Sequence, residues 1–211
     1  MITLKTLIFN AFQVNNYLLF DETNECVIID AANSDANEDA KLFRYIEENH
    51  LKPVCLLSTH AHVDHILGNK SIIEKYNIPY KIHLAGKSFL YSAVEHGEMF
   101  GFKVKPSPMP TDYIEDNDII KFGNSEIKAL YTPGHAEGSL CFYSEQEGFL
   151  ISGDVLFHGS IGRTDLPTGD FDTLIKSIKE KILSLPNDTI VYPGHGPETT
   201  VAYEKENNPF F

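Results

Sequence analysis

Apolar residues recur along this chain in two rhythms. Continuous or alternating apolar runs of strand length fall at residues 2–9, 14–20 and 26–30, and predict three successive strands. The intervening segment 21–25 is rich in turn formers. Leu42, Phe43 and Ile46 share one helix face, so a helix is expected from a cap at Ser34 or Asp35 to about Asn49. Pro53 closes the next linker, and 54–59 is an apolar, partly β-branched strand. A helical pattern opens at 66–70 and runs to about Asn77, ahead of Pro79, and 80–83 is a short strand. Residues 85–110 are less regular: 89–100 reads as a helix, then Pro106, Pro108 and Pro110 interrupt any regular element. That stretch suits a loop over an active site and a surface connector equally.

A second set of strands follows at 119–122, 126–132, 139–143 and 149–152. A helix at 172–185 stops at Pro186, the last strand is 189–192, and a final helix covers about 198–206. Each half therefore holds strands and then a helix, with no flexible linker or shift of composition between them. The reading is one α/β domain over residues 1–211, two packed sheets with helices outside.

At 211 residues the chain is long enough to bury a full core. Its net charge of −13 argues against binding nucleic acid or an anionic membrane through a basic surface. Cys26, Cys55 and Cys141 lie in apolar runs and read as small buried hydrophobes, not as a disulfide framework. The first residues lack the pattern of a signal peptide, and no segment has the length of a membrane span, so the expected location is the cytoplasm.

Chemistry concentrates where the strand at 54–59 gives way to a helix. There Thr59-His60-Ala61-His62-Val63-Asp64-His65 places three histidines and an aspartate within six residues. Imidazole and carboxylate are ligands for zinc and similar metals. Three later strand ends carry one more such residue each, after a tight glycine turn: Pro133-Gly134-His135, Gly153-Asp154 and Pro193-Gly194-His195-Gly196. A lone loop histidine is weak evidence, but five His and two Asp from four strand ends suit two metal ions sharing a carboxylate.

In order and spacing these motifs resemble the metallo-β-lactamase superfamily, over essentially the whole chain. The short, bacterial glyoxalase II-like hydrolases are the most similar branch, also through the loop at 159–167 and the ending Asn208-Pro209-Phe210. The resemblance implies an αββα four-layer sandwich of two mixed sheets with outer helices and a site at one sheet edge. It implies one metal on His60, His62 and His135, a second on Asp64, His65 and His195, and Asp154 bridging them. The ions would be two divalent cations, zinc or else iron or manganese. Asp154 stands where one lactamase subclass has cysteine, and His62 where the flavodiiron relatives have a carboxylate.

The activity so implied is hydrolysis by a metal-bound hydroxide, with Asp64 aiming it. A thiolate leaves a thioester without an acid, whereas an amide nitrogen needs a proton donor, which the sequence does not offer. The expected substrate is a small thioester, such as the glutathione-linked S-lactoylglutathione, and the expected state a monomer or homodimer. Arg163, one of only two arginines, matches a basic position that contacts glutathione in these relatives. It either binds a substrate carboxylate or pairs with Asp165 to stiffen its loop. Two features depart from the pattern: Asp165 replaces an aromatic residue, and the last thirty or so residues carry only Lys205 as a cation. The main rival is a persulfide dioxygenase with one iron on His60, His135 and Asp154. A lactonase is disfavoured because Phe157 replaces its tyrosine, and a nuclease by the acidic balance. His158 reads as supporting the site, His50 as a helix-end residue, and His83 and His96 as structural or surface.

Overall fold

The computed structural model describes residues 1–99, 101 and 104–211. The chain opens with a meander, β1 (Thr3–Phe9), β2 (Val14–Phe20) and β3 (Glu25–Ile29). Helix α1 (Ala36–Glu48) crosses to β4 (Lys52–Leu57), which lies parallel to β3. After β4 come α2 (Val63–Ile66), α3 (Asn69–Tyr76), β5 (Tyr80–Ile82), α4 (Lys87–Met99) and β6 (Asp112–Tyr113). These six strands form one sheet in sequence order. The second half supplies β7 (Ile119–Phe122), β8 (Ser125–Tyr131), β9 (Leu140–Ser144) and β10 (Phe149–Gly153). A hairpin of β11 (Leu156–Phe157) and β12 (Ser160–Ile161) precedes α5 (Phe171–Ser177). Then follow β13 (Ile190–Pro193), β14 (Thr199–Thr200) and α6 (Val201–Asn207). The second sheet runs β14-β13-β10-β9-β8-β7, and within it only β10 and β13 are parallel neighbours.

Side-chain alternation sets the layers. Along β2 and β3, Tyr17, Leu19, Val27 and Ile29 point to one face and meet Phe122, Ile127, Phe142 and Ile151 of the other sheet. Leu18 and Ile28 point the opposite way, onto Leu42 and Ile46 of α1 and Phe89 of α4. The outer face of the second sheet is covered likewise, with Cys141, Leu150 and Val191 under Leu174 of α5 and Val201 of α6. Four layers, αββα, result, as expected. The three cysteines are buried and unpaired. Among the described residues no helix is long and apolar enough to cross a membrane.

Most element boundaries differ from the sequence reading by one or two residues. Asp35, not Ser34, caps α1, its carboxylate accepting from the Asn37 and Glu38 amides at 2.8 and 3.0 Å. The single helix expected at 66–77 is broken. Gly68 donates to Ala31 O at 2.7 Å, and a side chain there would strike Asn33, so the chain turns between α2 and α3. The helix at 172–185 passes at Ile178–Ile182 into a π-helical turn. Residues 199–200 pair with β13, so the last helix starts at Val201, capped by Thr200. In the stretch 85–110, α4 packs against α2. Phe100, assigned to that helix from the sequence, lies outside the described residues, as do Phe102 and Lys103.

Candidate metal centre

Strands β3 and β4 are parallel, as are β10 and β13, so within each pair both strands end at one edge. The loops after β4, β8, β10 and β13 converge there. His60 and His62 lie on the extended approach to α2, and His62 is its N-cap, with φ −62° and ψ 148°. The single turn of α2 then carries Asp64 and His65. His135 comes from the turn after β8, Asp154 from the end of β10 and His195 from the end of β13. Gly194 makes room for them, because a Cβ there would lie 2.2 Å from Asp154 Oδ1.

All seven side chains expected from the sequence are brought together. Ligand atoms of His60, His62 and His135 lie within 4.8 Å of one another, and so do those of Asp64, His65 and His195. The carboxylate of Asp154 stands between the two triads. Its Oδ2 is 3.7 Å from His135 Nε2 and 3.4 Å from His195 Nε2, and its Oδ1 is 3.4 Å from His65 Nε2. Asp64 Oδ2 faces His195 Nε2 at 3.4 Å.

The donor set fits cations. His60 Nε2 and Asp154 Oδ1 are buried polar atoms with no hydrogen-bond partner, which costs free energy unless something binds them. Burial pushes His60, His62 and His135 down, keeping these rings neutral with a lone pair to offer. Burial alone would raise Asp154, yet the nearby His65 and His195 rings hold it well below the usual carboxylate range. Burial opposes a charge on His65, but Asp154, Asp64 and Asp30 outweigh it and raise its pKa. His195 is likewise lifted against burial, to about 9, by Asp154 and Asp64. Carboxylates that favour protons at these two rings favour a metal cation in the same place.

A further layer of contacts aims the rings. His65 Nδ1 donates to Asp30 Oδ2 at 2.9 Å. His135 Nδ1 donates to Arg163 O at 2.8 Å, and His195 Nδ1 to Phe12 O at 2.9 Å. Each bond fixes which nitrogen faces the site. Asp30 is fully buried and also takes the amide and hydroxyl of Thr59, both at 2.7 Å. The sequence reading missed it. Asp30 closes the strand expected at 26–30, but no glycine turn precedes it as one does His135 and Asp154, so nothing marked it. Asn10 and Asn15 were missed too. They donate to Asp64 O at 3.0 Å and to Pro193 O at 2.9 Å, tying the β1–β2 turn to two ligand loops.

A cavity of about 340 Å³ adjoins the cluster, walled by Phe12, Val63, Phe89, Met99, Leu166 and Pro167. On the other side a more open cleft is bordered by Phe157, His158, Ser160 and Pro197. Arg163 borders both, as do His135, Asp154 and His195. Its exposed guanidinium pairs with Asp165 through two bonds of 2.7 Å, the loop-stiffening alternative. His96 lines the apolar cavity, which corrects its reading as structural or surface, because α4 stands over α2. His158 is exposed and stacks on Tyr203, and His83 stacks on Tyr131. His50 is exposed just past the end of α1.

Histidine and aspartate triads on strand ends at the edge of an αββα sandwich define a metallo-hydrolase scaffold. Residues 9–195 match the metallo-beta-lactamase superfamily, and the chain belongs to it. It is 41% identical over 199 residues to the "probable metallo-hydrolase YqgX" of Bacillus subtilis (strain 168), covering 94% of this chain and 92% of that one. It is 35% identical over 202 residues to hydroxyacylglutathione hydrolase GloC of Haemophilus influenzae, covering 95% and 93%. Among solved structures it is similar to BLEG-1 B3 metallo-beta-lactamase, with TM-score 0.89, 34% identity and 99% of each chain covered. TTHA1623 in a di-iron-bound form superposes with TM-score 0.88 at 34% identity, over 98% of this chain and all of that one.

Proposed function

We propose that this chain, acting as one domain, is a two-metal hydrolase of thioesters. The observation that carries the reading is Asp154, whose carboxylate faces rings of both triads. His60, His62 and His135 would hold one divalent cation, Asp64, His65 and His195 the other, and Asp154 both. Zinc, iron and manganese all suit this donor set, and the di-iron form of the similar TTHA1623 supports two ions. When bound, such ions lower the pKa of a water towards about 7 and stabilise a developing oxyanion.

The chain's own residues supply the rest. Asp64 would accept a hydrogen bond from the attacking water and aim it. Phe12, Phe89 and Leu166 exclude bulk water from one side. No lysine, tyrosine or serine lines that cavity among the described residues, and outside the cluster His96 is its one imidazole. A thiolate, with a thiol pKa of roughly 8.5, leaves without such a donor and an amine does not, which favours thioesters over lactams. The similar GloC, a hydroxyacylglutathione hydrolase, points the same way. A complete second triad favours two metals over the single iron of a dioxygenase.

Elemental analysis of protein purified without chelators tests the reading, together with turnover of S-lactoylglutathione, simpler thioesters and a β-lactam. Two metals per chain and hydrolysis confined to thioesters are expected. One iron per chain, with oxygen uptake on adding glutathione persulfide, would overturn it.

A further inference from the structure

The cluster opens on two unlike spaces, and the difference between them bears on which thioester fits. The less open side is lined, beside the cluster, by Phe12, Val63, Phe89, Met99, Leu166 and Pro167 from four separate parts of the chain, with His96 and Arg163 among them. Phe89 is buried and packs edge-on against the His62 ring, with centroids 5.0 Å apart, so the apolar wall reaches the cluster itself. Phe12 and Met99 are 44% and 77% exposed, so large apolar groups stand bare at its mouth. The other side is more open, with Ser160 and the exposed His158 on the β11–β12 hairpin beside Phe157 and Pro197. Arg163 stands between the two.

We infer that the closed cavity binds the acyl group of the substrate, that this acyl group is an unsubstituted hydrocarbon chain, and that the polar thiol lies in the open cleft. A hydroxyacyl group such as lactoyl would carry its hydroxyl among mainly apolar walls, where outside the cluster only His96 and the Asp165-paired Arg163 could meet it, and an unpaired buried hydroxyl is penalised. A charged or peptide-like thiol would suffer the same penalty there, whereas the open cleft leaves it in water beside Arg163. At roughly 30 Å³ per water-sized group, 340 Å³ takes about eleven heavy atoms, any bound cations and their water included. That is room for the thioester carbonyl and a chain of about six to eight carbons. The inference rests on the thioester reading above and narrows it.

The test is a series of thioesters of one thiol, glutathione, with lactoyl, acetyl, butanoyl, hexanoyl, octanoyl and dodecanoyl groups, turned over by the metal-loaded protein. The value of kcat/KM is expected to rise up to about fourfold per added methylene as far as six to eight carbons. It should then fall at dodecanoyl, and lactoyl should rank below butanoyl. Leu166→Glu and Met99→Glu, both at the rim, are expected to lower the hexanoyl-to-acetyl ratio of kcat/KM by about tenfold. Titration calorimetry adds a readout apart from turnover: hexanoate should bind at least tenfold tighter than lactate. Turnover with no dependence on chain length, or best with lactoyl, would overturn this proposal and leave the thioester reading standing. Failure to hydrolyse any member of the series would overturn both.

Discussion

At the scale of single residues, this site depends on groups that never touch a substrate. Asp30 is the clearest case. It is fully buried, its backbone sits at φ 57°, and it binds His65 and twice Thr59. A non-glycine residue in that conformation needs its surroundings to hold it there. By accepting the Nδ1 proton of His65, Asp30 presents Nε2 to the site, and through Thr59 it fixes the backbone just before His60. Removing such a partner typically costs 10- to 100-fold in metal affinity. Asp30→Ala is therefore expected to weaken metal binding by about that factor, measured by competition with a chromogenic chelator. Unchanged affinity in folded protein would show that the ring is aimed by its packing alone.

At the scale of elements, the ligands were legible and their supports were not, for a physical reason. A candidate metal ligand is an unusual residue type at a strand end, and His60, His135, Asp154 and His195 each announce themselves as such. A support is recognised only by the contact it makes. Glu204 illustrates this: it is fully buried on α6, yet nothing in its sequence context sets it apart from any helix-surface glutamate. Its carboxylate accepts from the Gly159 amide at 3.0 Å, from Thr199 Oγ1 and from Asn208 Nδ2. Asn208 also donates to Ser160 O at 3.1 Å. That gives a structural reason for the ending Asn208-Pro209-Phe210, since it ties α6 to the hairpin bordering the open cleft. Two-residue strands such as β6 and β14 are equally invisible, because no periodicity can be read in two positions. Asp21 does for the two sheets what Glu204 does for the hairpin. It sits after β2 and accepts from Thr23, from the Asn124 amide at 2.7 Å and from Ser125 Oγ at 2.9 Å, joining two hairpins of different sheets. Burial alone would raise its pKa, but the bonds from Thr23, Asn124 and Ser125 outweigh that and bring it to about 2, from an ordinary 3.8. A lowered folded-state pKa means that its stabilisation is present above about pH 4 and is lost as pH falls towards 2. Asp21 is buried, and the shift amounts to about 1–2 kcal/mol. Asp21→Asn should cost that much by urea denaturation at pH 7 and roughly half as much at pH 3. A gap independent of pH would rule out the carboxylate charge as its source.

At the scale of the molecule, each triad is assembled across the two sheets. His60 and His62 follow a strand of the first sheet, and His135 follows one of the second. Asp64 and His65 follow the first, and His195 the second. The edges around them are already laced together: Tyr17 donates to Pro193 O at 2.6 Å, and the Leu140 amide to Thr59 O at 2.7 Å. Yet on the side facing the centre, His60 Nε2 and Asp154 Oδ1 are unpaired. Cations bound there would clamp sheet to sheet, and binding to the folded state alone raises stability by mass action. At a thousandfold excess over Kd the gain is about 4 kcal/mol per site, and for a chain of this size each kcal/mol moves Tm by roughly 2–4 °C. Stripping one tightly held ion is therefore expected to lower Tm by roughly 8–16 °C, followed by differential scanning calorimetry with and without EDTA, and readdition of metal should restore it. Asp154→Asn, which removes the charge facing both triads, should shrink that difference. If metal content falls on chelation while Tm stays fixed, the ions do not join the sheets, and the two triads are not the place where they bind.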